Sequence, residues 1–592
     1  MSTISGQDLY YAFGNGAVRI SKNIQNLNNI NFFPVPDGDT GLNMATTINS
    51  IVDHVEDQTS VKSVVSGMSK GALIGARGNS GFIFAQFING FYHQTKNKDS
   101  ISEKEFIASL RKSVPYVFEA ISNPVQGTII TIIDQWTSFL HERYTNEGNF
   151  KKILKLSLKY SKEVLDLTTE ELEVLKKNKV VDAGAQGFYH FIEGIVEYFI
   201  NGIVLKRESL TRTELIEDHK ENSDNQMSDY RYCTEIFFEG SDFNKKELRK
   251  YVDNLGDSGI IALNEGQGKI HVHTNEPYLL SNKIYNLGYK IIESKVDDMN
   301  FQVNEKTKDT NQIALVTDSV ADIPKNILDQ YNIYMIPVTI TANGSEFLDR
   351  LTINSEMLFD MVNENETLPK SSLPNLKLVK RLFERLTEDY EEVIYMSLAS
   401  ALSGTHNAIK KLASTISEHI HVIDSKKNSA AQGLVVLEVA EMIKNKLTVD
   451  EIKNKLPKII DNTEIYVAVD NFKYMVLGGR VPKTIGKIGT LLNLRPIVSL
   501  DANGKGTAFG GSFSRRAAIL KIYNILEKAS KENIIKRVVI SYSSQNSDAE
   551  ILANKIRNQL SIKVDYISEI SNVVAISAGE NAVAIGFTRE VI

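Results

Sequence analysis

Two short stretches carry residue types arranged to handle phosphate and metal. In Asp37-Gly38-Asp39-Thr40-Gly41, two carboxylates separated by one glycine sit in a turn that leads into the apolar series Leu42, Ala45, Ile48, Val52. Such a pair can converge on a hard cation such as Mg²⁺, which takes oxygen ligands and bridges to nucleotide phosphates. The same five residues also suit the capped start of a helix. Gly75-Ala76-Arg77-Gly78-Asn79-Ser80-Gly81 places small residues ahead of a second apolar helical pattern. There a phosphate would meet unpaired N–H groups and the favourable end of a helix dipole, although Ser80 could equally be a plain N-cap. The glycine-hinged loops Pro124-Val125-Gln126-Gly127-Thr128 and Val181-Asp182-Ala183-Gly184-Ala185-Gln186-Gly187 fit a nucleotide wall or ordinary turns. No Walker A pattern occurs, and Asn503-Gly504-Lys505-Gly506 reads as a hairpin turn.

A third group is made of soft and nitrogen ligands. His271 and His273 alternate along one expected strand and so share a face, and Cys233, the single cysteine, lies on another strand of the same block. One Cys and two His can ligate zinc, or they can simply occupy a solvated or interfacial face.

These residues need rigid elements to hold them. The apolar spacing predicts helix throughout 1–205, then a polar linker near 214–229. A small α+β block follows at 230–302: a strand at 232–238, a helix at 245–255, a hairpin of 260–263 and 270–274, a second helix and a strand near 289–293. After a polar link at 304–311, short apolar runs near 313–316, 335–340, 393–396, 422–423, 465–469, 497–500, 538–541 and 564–567 alternate with helical patterns. That alternation predicts α/β architecture with mainly parallel strands in two lobes.

Composition narrows the function classes. At 592 residues several cores are required. Hydrophobic residues at 42% and charged residues at 24% describe a folded chain in water. The balance of 67 basic and 73 acidic residues lacks the cationic excess that nucleic-acid phosphates select. A lone cysteine excludes an intrachain disulfide framework and fits a reducing compartment. No secretory pattern opens residues 1–13 and no apolar run reaches 18 residues, so a cytoplasmic location is expected.

The glycine and aspartate motifs, in this order, resemble the nucleotide-binding domain of bacterial fatty acid kinase A-subunits, itself related to the L-subunit of dihydroxyacetone kinase. The resemblance implies an all-α helical barrel over 1–205 whose aspartates, here Asp37 and Asp39, hold Mg²⁺ against ATP. Gly78, Asn79 and Ser80 match the phosphate loop, with Thr40, Thr128 and Asp182 as further nucleotide-side candidates. Dihydroxyacetone kinases carry a third aspartate where Phe32 stands, so Asn43 is taken as the candidate third ligand; Gln126 stands where fatty acid kinases commonly have glutamate. Block 230–302, with Tyr-Cys-Thr-Glu and His-Val-His, is similar to the linker domain of the same kinases.

From Ile313 onward the chain resembles the DegV family of fatty-acid-binding proteins. The motifs are Val316-Thr317-Asp318-Ser319, Ala321-Asp322-Ile323-Pro324, Pro369-Lys370-Ser371-Ser372-Leu373-Pro374, Ser400-Ala401-Leu402-Ser403-Gly404-Thr405, Val422-Ile423-Asp424-Ser425 and Gly478-Gly479-Arg480. A DegV-like domain over 311–592 implies an acyl chain in an apolar tunnel, its carboxylate held by Ser371 or Ser372 and by Ser403, with Arg480 as a supporting cation. Charge-assisted hydrogen bonds of this kind offset desolvation of a carboxylate. Family members usually have Thr-Ser-Gln-Pro at 371–374, and near the C-terminus a loop with histidine and proline that Ala575-Ile576-Ser577-Ala578-Gly579-Glu580-Asn581 lacks.

Together the resemblances imply a fatty acid kinase that makes acyl phosphate from ATP and a fatty acid. The expected cofactors are ATP and Mg²⁺, with Zn²⁺ at the Cys–His cluster. The expected partners are a downstream acyl-phosphate acyltransferase and a second copy of the chain in a homodimer, with transient membrane contact only. The alternatives are a lipid carrier or sensor with a regulatory kinase-like domain, and a kinase of a small ketone such as dihydroxyacetone.

Overall fold

The computed structural model describes residues 3–33, 38–121, 124–207, 230–264, 266–299, 312–365, 367–477 and 494–590. Both expected linkers, 214–229 and 304–311, lie outside them. The chain forms two compact units, Met1–Asn304 and Glu305–Ile592.

In the first unit, helices from Gly6–Ser21 to Ala183–Asn201 follow one another around a ring, and the first packs against the last to close it. Its interior is aromatic: Phe13, Phe84, Phe188 and Phe191 are fully buried, with Phe84 and Phe191 ring centroids 4.8 Å apart and edge-on. The region is not helix alone, because Thr3–Ile4 and Ile101–Ser102 pair as a short antiparallel ribbon, too short for a periodicity to register.

Closure of the ring depends on one close approach. A Cβ on Gly194 would lie 2.3 Å from the backbone nitrogen of Gly16 and 2.4 Å from the carbonyl carbon of Asn15. The two helices therefore touch backbone to backbone, and Gly194→Ala is expected to cost about 1–3 kcal/mol by overpacking. Trp136, the only tryptophan, is buried against Phe188 and donates its indole N–H to Ser157 Oγ at 3.1 Å. Its fluorescence in urea reports this ring alone, and an unchanged midpoint in the variant would contradict the account.

The block that follows is a four-stranded antiparallel sheet in the order Asp257–Leu263, Gln267–Thr274, Tyr232–Glu239, Lys290–Asp298. Alternation places Ile236, Ile270 and Val272 on one face and Cys233, Glu235, Lys269, His271 and His273 on the other. The second face lies on the helical ring. Ile260 and Ala262 enter the ring's own hydrophobic core, Asn89 donates to the Leu263 carbonyl at 3.1 Å, and Arg249 donates to the Ala120 carbonyl. The two regions that read as separate domains are therefore joined through Ile260 and Ala262, which belong to the ring's core.

The second unit begins with four parallel strands in the order Ile420–Asp424, Glu392–Ser397, Ile313–Asp318, Ile333–Ile336. The expected strand at 335–340 is two strands in different sheets. Pro337 has no N–H to give a ladder, and Thr339–Ala342 leaves to pair antiparallel with Ser345–Leu348 and Lys370–Ser372.

The expectation of mainly parallel strands fails in the second lobe. Its six-stranded sheet runs Gly506–Ser512, Arg495–Leu500, Thr463–Ala468, Val583–Arg589, Ile535–Tyr542, Tyr566–Glu569, and only the last pair is parallel. A strand buried on both faces reads as a continuous apolar run whatever its direction. The Asn503-Gly504 turn does form a hairpin, with Gly504 at φ +79°. Among the described residues no helix is long and apolar enough to cross a membrane.

Candidate functional site

The helix Thr40–Asp53 starts immediately after Asp39, yet the Asp39 carboxylate makes no capping bond. Asn28, from the helix Ile24–Asn29, caps it instead, its Oδ1 accepting from the Gly41 and Leu42 amides at 2.8 and 3.3 Å. Thr40 Oγ1 donates to Asn31 Oδ1. The first turn is thus satisfied by Asn28 and not by the Asp39 carboxylate. Asp37 lies outside the described residues.

One turn along that helix, Asn43 reaches the phosphate-type loop. Gly78 has φ +54°, and a Cβ there would lie 2.4 Å from Asn43 Nδ2, so the position demands glycine on two counts. The helix Gly78–Thr95 has no side-chain cap, which leaves first-turn amides available to an anion. Asn79 Oδ1 is buried without a hydrogen-bond partner. Asp39, Thr40, Asn43, Gly78, Asn79 and Ser80 all line one cavity.

The opposite wall of that cavity is the polar face of the sheet. Cys233 lies directly across from His273, and Glu235 across from His271. Cys233 Sγ is 3.8 Å from His271 Nδ1, and the ligand atoms of Cys233, His271 and His273 all lie within 4.8 Å of one another. His273 Nδ1 is 3.0 Å from Asp257.

Burial pushes the Cys233 thiol well up, and the carboxylates of Glu235, Asp297 and Asp39 push it the same way. Burial lowers His271, keeping the imidazole neutral, and its Nε2 has no partner. A neutral imidazole with an orphan nitrogen beside a thiol is a donor set that suits zinc, whose charge would turn the thiol into thiolate.

Glu235 closes the Tyr-Cys-Thr-Glu stretch, whereas Lys295 and Asp297 of this wall, and Lys269 on the same sheet face, carry no local signature in the sequence. Glu235 stays ionised although burial opposes it, because the Lys269 ammonium, the His271 ring and Lys295 hold its carboxyl well below the usual range. Lys295 and Asp297 line the cavity and pair with each other. Burial would lower Lys295, but Asp297, Glu235 and Cys233 raise it further, so it stays charged. Lys295 is the one lysine or arginine among the described residues that line the cavity. The signal that could have found it is period-two spacing: Lys295 lies opposite Glu235 on the neighbouring strand, as His271 does on the other side.

Thr128 and Asp182, the further nucleotide-side candidates, are not among the residues that line this cavity. Thr128 Oγ1 donates to the Val125 carbonyl at 2.8 Å. Asp182 caps the helix Ala183–Asn201, accepting from the Ala185 amide at 2.7 Å. They support the wall from behind, where a Cβ on Gly184 would lie 2.7 Å from Ser80 Oγ.

Burial pushes the Asp182 carboxyl up to about 7. Since the folded value lies above the ordinary one, stability from this group is complete below about pH 4 and declines as pH rises through 7. Asp182→Asn keeps a capping oxygen and loses the titration. The variant is therefore expected to gain on the natural protein between pH 4 and 7, by at most about 1.4 kcal/mol per pH unit, then to level off. Urea unfolding followed by Trp136 at each pH checks this, and a pH-independent difference would refute it.

The second unit brings together two of the expected carboxylate-binding motifs. Ser371 and Ser372 lie exposed on the edge strand Lys370–Ser372. Ser403 Oγ accepts from the Thr405 amide at 3.2 Å and lies 3.0 Å from Thr405 Oγ1, at the start of the helix Thr405–Ala413. Leu373 approaches to 3.9 Å of where a Gly404 side chain would begin. Arg480 lies outside the described residues.

A model of the DegV family of uncharacterised proteins matches residues 312–590. The DAK2 domain matches 34–197, and a middle domain like that of the fatty acid kinase A-subunit matches 229–306. A DegV domain-containing protein of Clostridium acetobutylicum is 31% identical over 272 residues, covering 45% of this chain and 92% of its own length. The chain belongs to the DegV family. Ahead of its DegV domain it carries the DAK2 domain and the fatty-acid-kinase-like middle domain in that order.

An uncharacterised protein of Mycoplasma genitalium is 27% identical over 443 residues, which is 68% of this chain and 78% of that one. Among solved structures, DegV of Bacillus subtilis, a fatty acid binding protein, is 28% identical, covers 47% of this chain and 99% of its own, and has a TM-score of 0.42.

In this DegV domain the motif residue Asp318 and the nearby Asp349 serve the scaffold. Asp318 accepts from the Leu398 amide at 2.9 Å, from Gln432 at 3.0 Å and from the Tyr395 hydroxyl at 3.1 Å. Asp349 accepts from Ser319 at 2.6 Å, from Ser571 at 2.7 Å and from the Asn572 amide at 2.9 Å. Burial pushes Asp318 and Asp322 up to about 6. These carboxylates tie Leu398, Ser319, Ser571 and Asn572 into the scaffold.

Proposed function

We propose that this chain is a fatty acid kinase, transferring the γ-phosphate of ATP to the carboxylate of a fatty acid held in the DegV domain. The observation that carries the reading is the one cavity lined by Asp39, Asn43 and the loop residues Gly78, Asn79 and Ser80 on one side and by Cys233, His271, His273 and Lys295 on the other. The DAK2 domain and the fatty-acid-kinase-like middle domain support phosphotransfer, and membership of the DegV family supports the acyl acceptor.

A fatty carboxylate is ionised near neutrality and needs no general base. The barrier is an anion approaching an anion. Loop amides and the Lys295 ammonium relieve it by facing the charge that spreads over the transferred phosphoryl group. Asp37 and Asp39, with Asn43 as third candidate, would hold Mg²⁺, whose charge would offset that of the nucleotide phosphates. A carboxylate oxygen forms the new bond to phosphorus, the β,γ-bridging oxygen leaves with the electron pair, and the products are acyl phosphate and ADP. Cys233, His271 and His273 would hold Zn²⁺, a Lewis acid for an oxygen of either substrate.

At the DegV end, Ser371 or Ser372 and Ser403 donate to the carboxylate, with Arg480 as counter-ion. Ser403→Ala is expected to weaken oleate binding about 10-fold, the loss of one hydrogen bond to a charged group; an unchanged affinity by titration calorimetry would remove Ser403 from the site. The whole reading is tested by ADP release from Mg-ATP with and without oleate, trapping acyl phosphate with hydroxylamine. Oleate-dependent hydroxamate is the expected result. Binding of oleate without turnover would leave a lipid carrier with a regulatory kinase-like domain.

A further inference from the structure

The phosphate-type loop is the junction of two helices. Val61–Gly75 ends there with Ala76 as its C-cap, and Gly78–Thr95 begins there with no side-chain cap. Between them the backbone turns through an extended Ala76, at φ −56° and ψ 127°, and a left-handed Gly78. Such a junction has carbonyls without helical partners on one side and amides without partners on the other.

The middle sheet answers both. Lys269 Nζ donates to the Ala76 carbonyl, and Glu235 Oε1 accepts from the Gly78 amide at 3.4 Å. The signs match the helix ends: an ammonium meets the carbonyl end of one dipole, and a carboxylate meets the amide end of the other. Lys269 and Glu235 are themselves paired at 3.3 Å, both buried, and the Lys269 ammonium lies over the Phe82 ring, 5.1 Å from its centroid. Glu235 occupies the Gly78 amide, which leaves the Asn79 and Ser80 amides for an anionic ligand.

We infer that Glu235 and Lys269 form a clamp by which the middle domain sets the shape of the phosphate loop, so that nucleotide affinity depends on a sheet that contributes no part of the DAK2 domain. The inference rests on the reading of the loop as a nucleotide site. Both are positioning residues: each acts on loop backbone, and neither is required to touch ATP.

The test uses the full chain and Mg-ADP, with affinity measured by calorimetry and KM and kcat measured by ATP turnover. Lys269→Met is expected to weaken Mg-ADP binding and raise the ATP KM by about 10- to 100-fold, the scale on which small misplacements of a binding group act, with kcat changed less than about 3-fold. Lys269→Arg, which keeps the charge, should recover most of the affinity. Glu235→Gln added to Lys269→Met should weaken binding little further, since the pair acts as one unit. Trp136 fluorescence shows whether the ring remains folded, and should Lys269→Met not fold, Lys269→Arg and Glu235→Gln carry the same comparison. Unchanged affinity in folded variants, or a loss confined to kcat, overturns the clamp and leaves the nucleotide reading standing. A natural protein that binds no Mg-ADP overturns both.

Discussion

Asp39→Asn is expected to abolish oleate-dependent ATP turnover, with a fall of about 10³-fold or more, while the helical ring stays folded. The substitution keeps the size of the side chain and removes only its charge. Because Asn28, not Asp39, caps the helix Thr40–Asp53, no element loses a hydrogen bond, and the loss belongs to the chemistry. Removing one preorganised charge from a phosphotransfer site is worth several kcal/mol. ADP release and the Trp136 unfolding midpoint, measured on the same preparation, separate the two effects. Turnover within about 10-fold of the natural protein would show that Asp39 is not a metal ligand.

The second large effect is expected at the sheet. His271→Ala with His273→Ala should lower turnover by about 10²-fold or more and remove one zinc per chain as measured by elemental analysis. The two rings share a face with Cys233 and line the cavity opposite Asp39, so their loss strips the wall that faces the phosphate loop. Prolonged chelation of the natural protein should reproduce the loss, and added Zn²⁺ should restore it. Full activity of the double variant, together with no metal in the natural protein, would reduce the cluster to a packed interface.

These two sites were legible to very different degrees. Asp39 and the Gly75 to Gly81 loop stand in local patterns, where a turn, small residues and a following apolar helix are all encoded within a few positions. Lys269 and Lys295 have no such pattern. Each is an ordinary lysine in a strand; Lys295 reaches the cavity because the register sets it opposite Glu235, and Lys269 meets the loop because it pairs with Glu235. Thr128 and Asp182 stand in glycine-hinged loops that resemble phosphate loops locally, and in the structure they engage the Val125 carbonyl and the Ala185 amide.

The same contrast runs through the fold. Helix periodicity over the first 205 residues, the α+β order of the middle block and the alternation beyond Ile313 could be read directly, because side-chain spacing records which face of an element is buried. Strand direction could not, because a doubly covered strand is apolar along its whole length in either sense; Val583–Arg589 inserts antiparallel between Thr463–Ala468 and Ile535–Tyr542 with nothing local to announce it. By itself, then, the sequence determined most element types, the family and the aspartate–glycine and Cys–His motifs, which are written in local patterns. Only the tertiary structure decided that the Cys–His face and the aspartate–glycine loops belong to one site, because that meeting comes from burying Ile260 and Ala262 in the core of the helical ring, a long-range packing event that no local pattern encodes.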